Sequence, residues 1–389
     1  MSGFGVELVG QLGYLLLMCG AVGAIAYLFR QPLVLGFLIA GILIGPFGPF
    51  SLIKDVDMLN NLTDVAIVLL LFSVGLSFPL SQLRAIGKVG GVIATVEILV
   101  MLGIGYAVGS LFGWSFWDSM LLAAAISVSS TAIIVKVLED TGQMETTSAT
   151  LMIGVLIIED ILAIVILSTL TSTVTAGVFD FESFGWSLVK ILGFIAGTIG
   201  AGVLLMPRLF EALSRLERYE ITFIVALGIA FGLSYLSYEL GFSIATGAFL
   251  AGVIIASSRF SEDLASLISP TREIFTAIFF VTIGALMNIQ IIAEYWVPIL
   301  IITIVTIVGK TIGTYAGVRL FGAGGGFALG VGLSMAQLGE FSFIVLKTGQ
   351  DLGVVSEHLL PIVGAVVVVT TLLAPILIKL GNRMVSPYQ

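Results

Sequence analysis

The sequence predicts an all-α polytopic membrane protein of about thirteen transmembrane helices, and three observations carry that prediction. Hydrophobic residues make up 58% of the 389 residues and charged residues only 10%, with a mean hydropathy of +1.18. An average soluble domain is roughly 25% charged, and a water-soluble fold of this length could not hide so much apolar surface. The apolar residues come in continuous runs near the ~20 residues that a helix needs to cross a bilayer, not in the ~10-residue alternations of a membrane β-barrel. Once those runs are threaded through a membrane, the basic residues fall almost entirely on one side.

The runs lie at 6–29, 33–50, 62–80, 86–112, 116–137, 149–175, 184–210, 219–239, 242–258, 270–289, 293–320, 325–350 and 358–381. The first has no basic stretch ahead of it and is too long for the apolar part of a secretory signal, so it reads as a span. With the N-terminus outside, the inside connections and C-terminal tail hold twelve of the sixteen Lys and Arg residues. These are Arg30, Arg84, Lys88, Lys136, Arg208, Arg215, Arg218, Arg259, Arg272, Arg319, Lys379 and Arg383. Lys54 and Lys347 are assigned to outside connections, and Lys190 and Lys310 to spans. The bias predicts a multi-pass protein of the cell membrane with its N-terminus outside and its C-terminus cytoplasmic.

Composition excludes several classes. One Cys and one His leave no disulfide scaffold and no metal site of His and Cys ligands. A net charge of −8 gives no basic footprint for nucleic acid. An enzyme is not expected: His358 lies in an outside connection, so no Ser–His or Cys–His pair forms in the core, and no HExxH motif occurs. No cofactor is expected either.

Polar residues inside the spans stand out, because a charge at the bilayer centre costs about 2.5–3.5 kcal/mol on insertion scales. Adjacent Glu159 and Asp160 sit in IGVLIIEDILAIVIL, Lys310 in IITIVTIVGKTIGTYAG and Glu97 in VIATVEILVMLG. Ser127, Val128, Ser129, Ser130 and Thr131 interrupt the fifth run, and Gln337, Leu338, Gly339 and Glu340 the twelfth. Unwound backbone at membrane depth is tolerated where it lines a cavity or is buried in protein. A shift of about 207 residues carries Ser129 onto Ala336, beside the second interruption. The two interrupted runs cross in opposite directions, the pattern that points to a transport site between inverted repeats. The acid pair belongs to one repeat only, since its counterparts are Val366 and Val367.

The chemistry such residues offer is exchange. A carboxylate that gives up its proton can take a small hard cation in its place. Hydroxyls and unwound carbonyls supply further oxygens, and the ends of broken helices bring partial charges of both signs to one depth. Lys310 can offset Glu159.

As a set, GFLIAGILIGPFG, LLLFSVGLSF, AISVSSTAIIVKVL, LIIEDILAIV, IATGAFLAGVIIASS, FFVTIGALMN and QLGEFSFIV resemble the membrane domain of the monovalent cation:proton antiporter-2 family. That family includes Kef-type potassium efflux proteins and NapA-like sodium/proton antiporters. The resemblance implies the NhaA-type antiporter fold, with inverted repeats and two crossed broken helices. It implies scaffold and dimerisation helices over 1–82 and 216–291, a mobile core over 83–180 and 292–389, and a linking helix over 181–215. It also implies a homodimer in the lipid bilayer, a role in pH homeostasis, and transported Na⁺ or K⁺ and H⁺.

Residue by residue, Asp160 falls at the family's ion-binding aspartate and Glu159 at the position before it. Family members carry Asp, Asn or Gln at that preceding position, so Glu is a departure. Lys310 falls at the core lysine that pairs with the preceding residue, Ser130 and Thr131 at the first crossover, and Gln337 and Glu340 at the second. Kef-type proteins append a nucleotide-binding domain. Here the sequence ends about eight residues past the last run, so gating by an attached domain is not expected, while a separate regulatory subunit stays open. Gly322–Gly326 joins two spans with no strand before it, unlike a dinucleotide fingerprint.

Several residues have plainer readings. Glu340 can cap backbone donors at the break, and Glu97 can hydrogen-bond within the core or a dimer. Asp64 can favour a helix N-terminus, His358 can stand solvated, and Cys19 can pack. Asn61-Leu62-Thr63 matches a glycosylation sequon in an external connection. Exchange of a monovalent cation for protons is the predicted function. Its alternatives are a gated potassium efflux channel-like transporter, which would need a continuous polar pore or repeated carbonyl filter, and a sodium-coupled symporter on a related fold.

Overall fold

Backbone groups in hydrocarbon find no water, so apolar runs of this length satisfy them as helices. The computed structural model describes residues 3–29, 31–76, 80–140, 143, 146–176, 181–214, 219–256 and 261–385, and sixteen helices lie among them. Arg30, Arg215, Arg218 and Arg259, and the expected boundaries at 180 and 215, lie outside the described residues. The helices are α1 (Gly3–Leu28), α2 (Leu33–Ile44), α3 (Val56–Leu76), α4 (Leu80–Leu111), α5 (Phe116–Ala125), α6 (Thr131–Asp140), α7 (Thr147–Ala176) and α8 (Phe181–Ser214). There follow α9 (Tyr219–Glu239), α10 (Ile244–Ala256), α11 (Ser261–Leu286), α12 (Ile289–Glu294), α13 (Trp296–Arg319), α14 (Gly325–Ser334), α15 (Glu340–Asp351) and α16 (Leu359–Val385). Eight of them, α1, α3, α4, α7, α8, α9, α13 and α16, contain apolar stretches long enough to cross a bilayer, so this is a multi-span membrane protein.

Two runs are split where the sequence turns polar. The fifth becomes α5 and α6, separated by residues 126–130, and the twelfth becomes α14 and α15, separated by residues 335–339. The second run ends earlier than expected: α2 stops at Ile44 and no helix forms again until Val56. Gly45-Pro46 and Gly48-Pro49 punctuate that stretch, and proline disfavours helix in the residue before it. The short α10 is buried throughout from Ala245 to Ala256, as expected of a helix that is apolar all round. It meets α3 backbone to backbone, since a Cβ on Gly252 would lie 2.2 Å from the Phe72 carbonyl oxygen. Between α13 and α14, Gly322 turns the chain with φ +77°.

Apolar packing divides into two clusters at the level of the breaks. The larger joins α1, α2, α3, α8, α9, α10 and α11 to one half of the group formed by α4–α7 and α13–α16, through Met101, Leu122, Leu167, Ile302, Phe343 and Val363 among others. The smaller contains only the other half of that group: Ile93 and Ala94 of α4, Ile134 and Leu138 of α6, Met152 to Leu156 of α7, Val318, Ala328, Val331 and Ile378. Glu159 and Asp160 follow Leu156 on α7 and precede Ala163, so the acid pair stands where the two clusters meet.

Four polar residues differ from expectation. Lys347 is not in a connection; it is buried within α15, 3.5 Å from Asp64 on α3 and ion-paired with Asp351. Asp64 therefore serves that pair, eight residues into α3, and not the helix start. Thr63 of the sequon is buried and donates to Thr282 Oγ1 at 2.8 Å, so the motif is helical packing. His358 is only partly exposed: it stacks on Tyr295 at 5.0 Å and lies 5.1 Å from Trp114.

Candidate functional site

The two breaks meet. Ser129 and Leu338 form a single antiparallel bridge, and a Cβ on Gly339 would come within 2.8 Å of Ser130 Cα. Ending a helix leaves carbonyls and N–H groups without intrahelical partners, and here each break supplies partners for the other. The Ser342 hydroxyl of α15 donates to the Ala125 carbonyl at 2.6 Å, and the Ser129 hydroxyl donates to the Met335 carbonyl at 3.1 Å. Leu338 N–H donates to Thr370 Oγ1 at 3.4 Å, and Ile133 N–H to Ser130 Oγ at 3.3 Å.

Charged side chains complete the caps. The partial negative end of α5 presents the Ser127 carbonyl, which accepts from Lys310 Nζ at 3.0 Å. The partial positive start of α6 presents Ser129 N–H, which donates to Glu159 Oε2 at 2.8 Å. Two residues on, Thr131 Oγ1 donates to Asp160 Oδ2 at 3.1 Å. Asp160 is 3% exposed, and the carboxyls of Glu340 and Glu159 are the charges acting on it most strongly. Glu340 begins α15, where its carboxylate interacts with its own backbone N–H and feels the Arg272 guanidinium of α11. Gln337 is buried at the crossing and its carboxamide has no hydrogen-bond partner among the described residues.

The structure thus brings Asp160, Glu159, Ser130, Thr131, Gln337 and Glu340 to one crossing, with a correction for Lys310. Its ion pair is with Glu97 of α4, and both side chains are 0% exposed. Glu159 is not its partner. Helix α13 lies on α4 through Gly309, Gly313 and Gly317, where a Cβ would fall 2.7 Å from Met101 Sδ, 2.9 Å from Glu97 Cα and 2.8 Å from Ile93 Cα. That four-residue glycine spacing sets Lys310 and Glu97 at one level. The spacing marks α13 in the sequence as a closely packed helix, since small residues four apart mark close helix contacts, but it does not say which helix it meets.

A profile of the sodium/hydrogen exchanger transmembrane family matches residues 14–380. The chain belongs to that family. Among its relatives, the Na⁺/H⁺-K⁺ antiporter GerN of Bacillus cereus is 29% identical over 374 residues, covering 96% of each chain. The Na⁺/H⁺ antiporter of Enterococcus hirae is 26% identical over 382 residues, covering 98% of this chain and 99% of the relative. The structure of the sodium proton antiporter MjNhaP1 from Methanocaldococcus jannaschii at pH 8 superposes with a TM-score of 0.75 at 19% identity, over 97% of this chain and 99% of that one. This exchanger-family fold is therefore shared across sequences that retain few identical residues.

Proposed function

We propose that this exchanger is a secondary antiporter that exchanges a monovalent cation, Na⁺ or K⁺, for protons by alternating access. The observation that carries the reading is Asp160: a buried carboxyl at the crossing of two helix breaks, bonded to one hydroxyl and placed where the two apolar clusters meet. The proton and the cation compete for that carboxyl, so one leaves as the other arrives. Among the described residues no three acidic, His or Cys side chains converge closely enough to chelate a metal ion. The cation's remaining oxygens would come from Glu159, Thr131, Ser130 and the unwound carbonyls beside them.

Counting each split run once, and leaving out the six-residue α12, the helices support thirteen spans. In this reading residues 1–82 and 216–291 form the scaffold of a homodimer, 83–180 and 292–389 form the moving core, and 181–215 link them. With the N-terminus outside, the larger cluster seals the outer side between core and scaffold. The smaller cluster belongs to the core alone, which supports an inward-open state. Because Lys310 is tied to Glu97, drawing Glu159 toward a cation does not strip Lys310 of its counter-charge.

The test is proton flux in proteoliposomes on addition of Na⁺, Li⁺ and K⁺ in turn, with the membrane potential clamped and unclamped. Wild-type protein should acidify or alkalinise the lumen with at least one of these ions. Asp160→Asn keeps the size and hydrogen bonding of the side chain but carries no exchangeable charge, and should fall to background. Cation-driven flux retained by Asp160→Asn would remove Asp160 from the mechanism.

A further inference from the structure

Glu97 is fully buried, and the exchange reading so far uses it only as the counter-charge of Lys310. Its carboxyl interacts with two side chains at once, the Lys310 ammonium and the Glu159 carboxyl. We propose that Glu97 is a positioning residue for exchange: it holds the Lys310 ammonium away from Glu159 and so keeps the Glu159–Asp160 pair open to the cation.

Three features of the packing build this arrangement. The glycines of α13 let that helix approach the Glu97 face of α4 closely, which puts the ammonium against Glu97 Oε1. The Ser127 carbonyl, at 3.0 Å, takes a second hydrogen from Lys310 and fixes the ammonium at the end of α5. Glu159 is held from the other side of the break, by Ser129 N–H on Oε2, while its Oε1 accepts no hydrogen bond among the described residues. Glu97 is ion-paired with the ammonium and acts electrostatically on Glu159, so removing its charge leaves the ammonium free to turn to Glu159. An ammonium tethered beside a carboxylate is an intramolecular competitor at high effective concentration. A Na⁺ or K⁺ arriving at Glu159 would then have to displace it.

The inference rests on the cation-exchange reading, and its test separates the two. Na⁺ and K⁺ are each titrated into purified protein in detergent by calorimetry, reading Kd and needing no turnover. Glu97→Gln should weaken cation binding about tenfold, because the freed ammonium turns to Glu159. Glu97→Gln/Lys310→Gln removes both charges and so the competitor, and its Kd should lie within twofold of wild type. Glu97→Asp, which keeps the charge, should bind more tightly than Glu97→Gln. If Glu97→Gln does not fold, the double variant decides alone, since a tenfold loss there makes Glu97 a cation ligand and overturns the positioning role. Equal Kd values in wild type and Glu97→Gln overturn it as well. Absence of binding to wild-type protein overturns the exchange reading and this inference with it.

Discussion

Gly339 carries no side chain because none would fit between it and Ser130, whose Cα is 2.8 Å from where a Cβ would stand. Its backbone is extended, with φ −122° and ψ −171°, so the requirement is steric and not conformational. Gly339→Ala should push the breaks apart and destabilise the protein by about 1–3 kcal/mol, the usual penalty for overpacking a close contact. Thermal unfolding in detergent would show a lower midpoint, and cation-driven flux should fall with it. An unchanged midpoint would mean the crossing is looser than its packing implies. Asp160 and its neighbours could be found in the sequence because an acid in an apolar run is expensive and therefore conspicuous. The partner of Lys310 could not, because Glu97 lies 213 positions away and adjacency along the chain favoured Glu159. Only the packing of α13 on α4 decides between them.

The split helices were equally visible beforehand, since five consecutive polar or β-branched positions in one run and a Gln-Leu-Gly-Glu in another cannot continue an apolar span unbroken. The early end of α2 was encoded too, in its two Gly-Pro pairs. What the sequence hides is how connections meet. His358, just ahead of α16, stacks between Tyr295, at the start of α13, and Trp114, in the turn before α5. Burial there holds the imidazole below its ordinary pKa of 6.5, and Asp118 opposes that shift only in part. The unfolded chain then binds more protons than the folded one as the pH falls through this window. The folded state is thus favoured in full above pH 6.5 and loses that contribution as the pH drops toward the depressed value. Detergent-solubilised protein should show a melting midpoint that declines with acid over this range. His358→Phe keeps the ring stack without the titrating nitrogen and should flatten the decline. An identical slope in wild type and His358→Phe would assign it to other groups.

The division of the apolar interior into a joined half and a separate half has a mechanical implication for the exchanger. On the joined side, Phe280 of α11 meets Phe343 of α15 edge to face at 6.1 Å, and Lys347 of α15 reaches Asp64 of α3. In the proposed reading, movement of 83–180 and 292–389 against 1–82 and 216–291 would part these contacts. Replacing both members of the ion pair, as Asp64→Cys/Lys347→Cys, allows that parting to be blocked by a reducible bifunctional thiol reagent long enough to span the two lost side chains. Cys19→Ser first removes the single native cysteine. Cation-driven flux should stop on cross-linking and return on reduction; flux that persists through a complete cross-link would place the moving boundary elsewhere. None of this division was visible from hydropathy, which sees how apolar a helix is but not which neighbour covers it. Overall orientation, in contrast, could be proposed from twelve basic residues on one side.

The mutual capping of the two breaks also bears on how the chain is made. As the ribosome delivers α5 and α6 to the membrane, the Ala125 and Ser127 carbonyls have no lasting partners, because Ser342 and Lys310 have yet to be synthesised. The bridge from Ser129 waits likewise for Leu338. The first interrupted span must therefore remain provisional, held by lipid, water or the insertion machinery, until the last quarter of the polypeptide arrives. Completion of the crossing around Asp160 is in that sense a late event, and a nascent chain arrested before residue 338 would contain Asp160 without the second break beside it.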